Sequence, residues 1–280
     1  MFQFQSFPPS PPLREFVFCY LVSDVIDNND LSTKHEALPM GITTLCFSDI
    51  PGCYANRISS EGKFVKAPEI AIVGQMSQKG ESIFYRPFRS VVTLFYTTTL
   101  YQFWGMPMHT VAGHYSMDAT DVFPSAELRA CRERMFQSND PARAVKVLDT
   151  FLLNKRNAAR NNVRNIDKLA GVIQQRAGNV NLDWLTRQAN MSVKTLERHF
   201  NEKIGLMPKY FSRIIRFKNA FQQLEQQGRS ADVMKVVEAC GYTDQAHLIK
   251  EFKNFTERTP TFYNDTEEVL SSFFLQSVSK

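Results

Sequence analysis

The sequence predicts an α+β protein of two domains. A β-rich, barrel-like N-terminal domain with closing helices precedes an all-α C-terminal domain that repeats one helix–turn–helix design. Three observations predict this. The chain has 280 residues, enough for two cores. From about residue 16 to 122 it is rich in β-branched and aromatic residues broken by Pro-Gly, Asn and Asp turn signals, and helical periodicity takes over after Pro124. Charge divides in the same way: residues 1–155 hold 14 Lys+Arg against 15 Asp+Glu, whereas residues 156–262 hold 18 against 10. A basic half beside a near-neutral half is the electrostatic footprint of a nucleic-acid-binding domain joined to something else.

The bulk composition fits an ordinary globular protein, at 43% apolar and 22% charged. No apolar run approaches the roughly 18 residues of a membrane helix. The opening Met1-Phe-Gln-Phe-Gln-Ser6 lacks the basic and then apolar segments of a secretory signal. The five cysteines (Cys19, Cys46, Cys53, Cys131, Cys240) are scattered, with no Cys-x-x-Cys pair. They read as reduced, mostly buried thiols of a cytoplasmic protein.

Along the chain, Pro8–Pro12 is an extended lead-in. Strands are expected at Phe16–Val25, Thr43–Phe47, Ile70–Val73, Ser82–Tyr85 and Ser90–Tyr96. Several short strands with turns between them suggest a small barrel or sandwich. A helix is expected at Ser125–Gln137, and a second begins at Asp140, an N-cap followed by Pro141. Ala144, Val145, Leu148, Phe151 and Leu152 give that second helix one apolar face. The helices at 125–153 either pack on their own domain or form a dimer face. Residues 1–155 thus form a domain for sensing or dimerisation. Residues 156–164 are a polar linker, residues 165–263 the second domain, and residues 264–280 an acidic, Ser-rich tail.

Within the second domain one small design occurs twice. Leu182–Phe200 and Asp232–Phe252 each read as helix, tight turn, helix. Aligning Ser192 with Thr243 and allowing one residue of turn length places Phe200 on Phe252, and Leu196 on His247 or Leu248 depending on that residue. In the first unit Asn181 caps a helix, Asn190 takes the left-handed turn position and Ser192 caps the second helix. Leu196 and Phe200 then face inward. Lys194, Glu197 and Arg198 project outward from the N-terminal part, as base-reading residues must. Arg198 can fork onto guanine, and Glu197 can accept from cytosine. In the second unit Gly241 is at the turn and Thr243 or Asp244 caps the helix. Gln245, Ala246, Ile249 and Lys250 face the groove, while Leu248 and Phe252 face inward. Ser192, Asn201, Lys209, His247 and Lys253 are the candidates for phosphate. Between the units, Pro208–Gln226 forms an amphipathic helix of roughly 28 Å, close to the ~34 Å of one DNA turn.

These residues carry a resemblance. Leu196-x-x-x-Phe200, Gly205-x-x-Pro208, Arg216-x-x-x-Ala220 and, above all, Gly241-Tyr-x-Asp-Gln-x-His247 with Phe252-Lys253, Thr259-Pro260 and Tyr263 are similar to the DNA-binding domain of the AraC-type family of bacterial transcription regulators. The resemblance covers residues 165–263. It implies a reader with two units on one chain that regulates transcription, usually with an N-terminal sensing or dimerising domain. The chain departs from the family pattern at Thr186, Val237, Leu248, Lys250 and Glu257. More loosely, Pro12-Leu-Arg-x-x-Val17, Pro39-x-Gly41, Val73-Gly-Gln-Met76 and Tyr101-x-x-x-Gly105 resemble a sensor-like domain of some regulators in this family.

Tyr85, Phe95, Tyr101 and Trp104 are the candidates to line a ligand pocket, set against the plainer reading of core aromatics. His109 and His114 fit no usual zinc spacing, so neither metal nor cofactor is expected. The partners this implies are double-stranded DNA, a small-molecule effector, RNA polymerase and a second copy of the chain, with no membrane. The competing class is a DNA-repair or alkyl-transfer protein on the same DNA-binding module. It would need a reactive thiol, for which Cys131, beside Arg129, Arg132 and Arg134, is the candidate.

Overall fold

A computed structural model describes residues 3–25, 34–58, 62–159, 164–227 and 232–263. The tail at 264–280 and four residues of the expected linker, 160–163, lie outside the described residues. Ten strands build the N-terminal domain: β1 Gln3–Phe7, β2 Val17–Val25, β3 Lys34–Ala37, β4 Thr43–Ser48, β5 Tyr54–Ile58, β6 Val65–Lys66, β7 Ile70–Val73, β8 Gly80–Phe84, β9 Phe88–Phe95 and β10 Met117–Asp118. All pairings are antiparallel. They form a six-stranded sheet in the order β1-β2-β9-β4-β7-β10 and a four-stranded sheet in the order β3-β8-β5-β6. The barrel is therefore open: β8 and β9 are consecutive in the chain yet lie in different sheets, so that connection turns a corner between two facing layers.

The period-2 alternation of the long strands explains the layering. On β2, Tyr20 and Val22 enter a core shared with helices, while Leu21 enters the cluster on the opposite face. On β4, Leu45 and Phe47 join the helical side. That side is covered by α1 Thr99–Trp104, α2 Ser125–Phe136 and α3 Pro141–Ala158. Leu128, Met135, Leu148 and Leu152 of α2 and α3 are wholly buried there. The carboxylate of Asp149 on α3 accepts from the Tyr20 hydroxyl at 2.8 Å and from the Ser10 amide at 2.9 Å, fixing the helix to the sheet. The helices at 125–153 thus pack on their own domain. Asp140 caps α3 by accepting from the Ala142 amide, with Pro141 in the first turn.

Among the described residues seven helices form the C-terminal domain: α4 Arg164–Gln175, α5 Leu182–Ala189, α6 Val193–Lys203, α7 Pro208–Gln227, α8 Val233–Ala239, α9 Gln245–Thr256 and α10 Pro260–Tyr263. Helix α7 is shared by two cores. Phe211 and Ile215 pack with Ile166, Leu185, Leu196 and Phe200, and Ile214, Phe217, Phe221 and Leu224 pack with Val236, Leu248, Phe252 and Phe255. At 20 residues it is roughly 30 Å long.

The two domains are in extensive contact. Leu38 and Met40, which follow β3, are buried in the second helical core against the residues of α7. Gly41, at φ +69°, makes that approach possible, because a Cβ there would come within 2.5 Å of the Ile215 side chain. Polar ties surround this contact: Tyr210 donates to the Ser77 carbonyl at 3.0 Å and Tyr263 to Glu36 at 3.1 Å. Lys79, only 2% exposed, lies 3.0 Å from Glu36, 3.2 Å from Glu81 and 3.4 Å from Glu257 of the C-terminal domain.

Candidate nucleic-acid interface

Each helix–turn–helix is set by local chemistry. Asn181 accepts from the amides of Asp183 and Trp184 and so begins α5. Asn190 closes it at φ 51°, ψ 47°, the left-handed conformation that Asn adopts at little cost. Ser192 accepts from the Thr195 amide and starts α6. Leu196 and Phe200 are completely buried, which holds α6 across α5. In the second unit Asp232 caps α8, Gly241 turns the chain at φ +68°, and Asp244, rather than Thr243, caps α9 by accepting from the His247 amide at 2.7 Å. Thr243 instead bonds the His247 imidazole at Nδ1, 2.8 Å away. Leu248 and Phe252 are completely buried. Arg213 of α7 forks onto Glu251 of α9, donating to Oε1 at 2.7 Å and to Oε2 at 3.2 Å, a bidentate pair that fixes α9 on α7.

The outward faces follow. Lys194 and Arg198 are exposed, and Glu197 is half-buried. Val193, the first residue of α6, is 42% exposed; its apolar character hid it as a candidate, although a branched methyl at this position suits a thymine methyl. On α9, Gln245, Ala246 and Lys250 are exposed and Ile249 is half-buried. Among the phosphate candidates, Lys209 and Lys253 are exposed, and Asn201 lies in the second half of α6, half-buried. The Ser192 hydroxyl is engaged in its cap. Lys209 and His247 come together with Arg216 and Asn181 in one cleft between the two units. Arg213 and Arg216 also line this cleft; their place on α7, read as a packing helix, concealed them. Burial first, then the neighbouring Lys203 and Arg198, hold the His199 imidazole below its ordinary pKa.

The N-terminal domain touches the far ends of both outward helices. The Tyr101 hydroxyl donates to Glu202, in the last turn of α6, at 3.0 Å, and Lys79 reaches Glu257, at the end of α9. The N-terminal turns of α6 and α9 remain open to solvent.

The four aromatic candidates for a pocket lie elsewhere. Phe95 is fully buried in the helix-facing core, Trp104 stacks on Phe123 at 4.5 Å, Tyr101 serves the domain contact and Tyr85 is 49% exposed. None of them lines the cavity that does exist, of about 120 Å³, on the other face of the large sheet. The thiol of Cys131 is 4% exposed, and burial pushes it up to about 12 despite the opposing charge of Arg134. Its arginine neighbours in sequence do not activate it, so the basis for an alkyl-transfer reading is gone.

Two capped, similarly built helix–turn–helix units joined by one long helix define a tandem helix–turn–helix domain. Comparison with known proteins agrees: residues 185–266 match the family model for a helix-turn-helix domain, and residues 5–117 match a domain of unknown function, DUF6597. The C-terminal part of the chain is thus similar to a helix-turn-helix domain over residues 185–266. An uncharacterised HTH-type transcriptional regulator from Haemophilus influenzae is 30% identical over 95 residues, 34% of this chain. The chain spans about a third, 31%, of that curated relative's length. Among solved structures, ToxT from Vibrio cholerae covers 88% of this chain, and 97% of ToxT is covered in turn, at 8% identity and a TM-score of 0.47. The AraC-like transcriptional activator CuxR covers 85% of each chain at 8% identity and a TM-score of 0.32.

Proposed function

We propose that this protein is a sequence-specific transcription regulator. Its two helix–turn–helix units read adjacent major-groove segments of double-stranded DNA, under the control of its N-terminal domain. The observation that carries this reading is the pair of outward helices, α6 and α9, whose N-terminal turns are free while their apolar faces are locked on α7. Lys194, Glu197 and Arg198 read bases from α6, and Gln245, Ala246, Ile249 and Lys250 from α9. The two helices differ in character. The first bears a fork-shaped cation and a carboxylate, suited to direct hydrogen-bonded readout, and the second offers apolar contact with a lysine point charge. Lys209 and His247 meet the phosphates between the two grooves, with Lys253, Asn201 and the amides behind Ser192 on the flanks. A small-molecule effector, a second copy of the chain and RNA polymerase complete the set of partners, in the cytoplasm. Among the described residues no helix is long and apolar enough to cross a membrane.

The test is capture of genomic DNA fragments by the purified full chain in the presence of excess nonspecific competitor. Enrichment of a small set of fragments that share one sequence motif is expected. Retention of fragments without a common motif would refute sequence-specific reading.

A further inference from the structure

The cavity of about 120 Å³ lies between the two sheets of the N-terminal domain. Its walls come from both layers: Cys46, Ala71 and Val92 from the large sheet, and Asn56, Ser82 and Phe84 from the small one. Among the described residues no lysine, arginine, aspartate or glutamate lines it. A charged ligand would lose its hydration here with nothing to replace it, a cost of several kcal/mol.

The polar groups fall in two places: Ser23 and Ser90 of the large sheet bond each other at 2.5 Å, with Thr44 beside them on that sheet, and a second, linked group lies on the small-sheet side. Ser82 donates to Asn56 Oδ1 at 2.7 Å and lies 3.1 Å from the Tyr115 hydroxyl, and Asn56 donates to the Tyr115 carbonyl at 3.3 Å. Ser116, the next residue, also lines the cavity. Its backbone is held at φ 146°, a region that side-chain-bearing residues rarely adopt. Its hydroxyl is buried and has no hydrogen-bond partner. A buried hydroxyl without a partner is costly, and a strained backbone beside it persists only where the surroundings enforce it. Ser116 thus offers one unmet hydrogen bond in a mostly apolar chamber.

We infer that this cavity is the effector site and that it takes a small, uncharged, mostly apolar ring compound bearing a single hydroxyl or carbonyl, which bonds Ser116. The inference rests on the reading of the protein as a regulator controlled through its N-terminal domain. Size supports the class, since an apolar cavity of about 150 Å³ accommodates benzene. Polyhydroxylated compounds such as sugars are disfavoured, because the other polar groups of the wall already bond one another, Ser23 with Ser90 and Ser82 with Asn56, and each further ligand hydroxyl would have to compete for them. The route to the DNA-binding domain is short. Leu38 and Met40 line the cavity and are at the same time buried in the core around Ile214 and Phe217 of α7. An occupant that moves Met40, a flexible side chain, therefore displaces a residue on which α7 and α9 rest.

The test uses the full chain with phenol, 4-methylphenol and cyclohexanone as probes, toluene as the control without a hydroxyl and benzoate as the charged control, read by calorimetry, by the shift in melting temperature and by affinity for a captured genomic DNA fragment. Saturable binding of at least one uncharged probe, with benzoate at least tenfold weaker, is expected. Ala71→Phe, which fills the cavity from β7, should abolish binding. Ser116→Ala should weaken the hydroxylated probes several-fold and leave toluene unaffected, which keeps the proposal testable if Ala71→Phe does not fold. Failure of every uncharged probe, equal binding of benzoate, or full binding by both variants would overturn the site. Probe binding with no change in DNA affinity would uphold the site and count against the regulator reading on which it rests.

Discussion

Replacing Lys79 with methionine should loosen the junction between the domains at a predictable cost. The ammonium group sits among Glu36, Glu81 and Glu257 at 3.0, 3.2 and 3.4 Å. Lys79, Glu81 and Glu36 are 2%, 6% and 15% exposed, whereas Glu257 is 33% exposed. Removing one partner from a fully buried ion pair costs about 3–5 kcal/mol, because the other charge is left without compensation. Arg57 remains on Glu81, and the Tyr263 hydroxyl remains on Glu36, so the loss should be smaller, about 2–3 kcal/mol. Glu257→Gln, at the wet edge of the cluster, should cost no more than about 1 kcal/mol. Urea denaturation reads both, as a lower midpoint at unchanged slope. The pH dependence has a definite sign. Burial works against ionisation of Glu81, but Arg57 and Lys79 outweigh it and hold its carboxyl below the ordinary range. A depressed carboxyl contributes stability above its unfolded pKa and loses it as pH falls through its folded pKa. The difference between wild type and Lys79→Met should therefore be largest above about pH 5 and should narrow below about pH 4. An unchanged midpoint for Lys79→Met, or an equal loss for Glu257→Gln, would refute the account of a buried hub.

Other consequences can be checked directly. Arg198→Ala should weaken specific DNA binding by about 1–3 kcal/mol and relax the preference at one base pair, as read by anisotropy titrations against a library of single-base variants. Lys253→Ala should lower affinity for all sequences alike and flatten the log–log salt slope by about 1; a sequence-dependent effect would exclude the phosphate role. Asp244→Ala removes the cap of α9 and should cost about 0.5–2 kcal/mol in urea denaturation, with a matching loss of helix signal as α9 frays. With its thiol pushed up to about 12, Cys131 should react with a disulfide reagent at pH 8 roughly a thousandfold more slowly than a free cysteine until the protein unfolds; rapid labelling of the native chain would reopen the alkyl-transfer reading.

The C-terminal domain was legible because its signals are local and repeated. Asn181, Asn190, Ser192 and Gly241 each act within a few residues, and the paired anchors Leu196/Phe200 and Leu248/Phe252 repeat one spacing. The strands at Val17–Val25, Thr43–Ser48, Ile70–Val73, Gly80–Phe84 and Phe88–Phe95 were legible because their signals are also local, runs of β-branched and aromatic residues between turn signals. Strand β3, Lys-His-Glu-Ala, and strand β5, Tyr-Ala-Asn-Arg-Ile, were not. Their residues have low strand propensity, and they are held by partners far away in sequence, such as Arg57 on Glu81 and Asn56 with Ser82. The inter-sheet cavity was not legible because aromatic spacing does not distinguish a packed face from a hollow one. Phe95 and Trp104 mark the filled side of the large sheet, while the cavity on its other side is given away by Ser116, a residue without a sequence signal. The domain contact was equally hidden, although Gly41 belonged to a short motif that the packing now explains.

The central claim is that α6 and α9 occupy successive major grooves on one face of the DNA. Hydroxyl-radical and guanine-methylation footprinting of the full chain on a captured genomic site tests it most directly. Two protected major-groove patches separated by one helical turn, about 34 Å, are predicted, with Arg198→Ala erasing protection in one patch only. A single patch, or two on opposite faces of the duplex, would contradict the account.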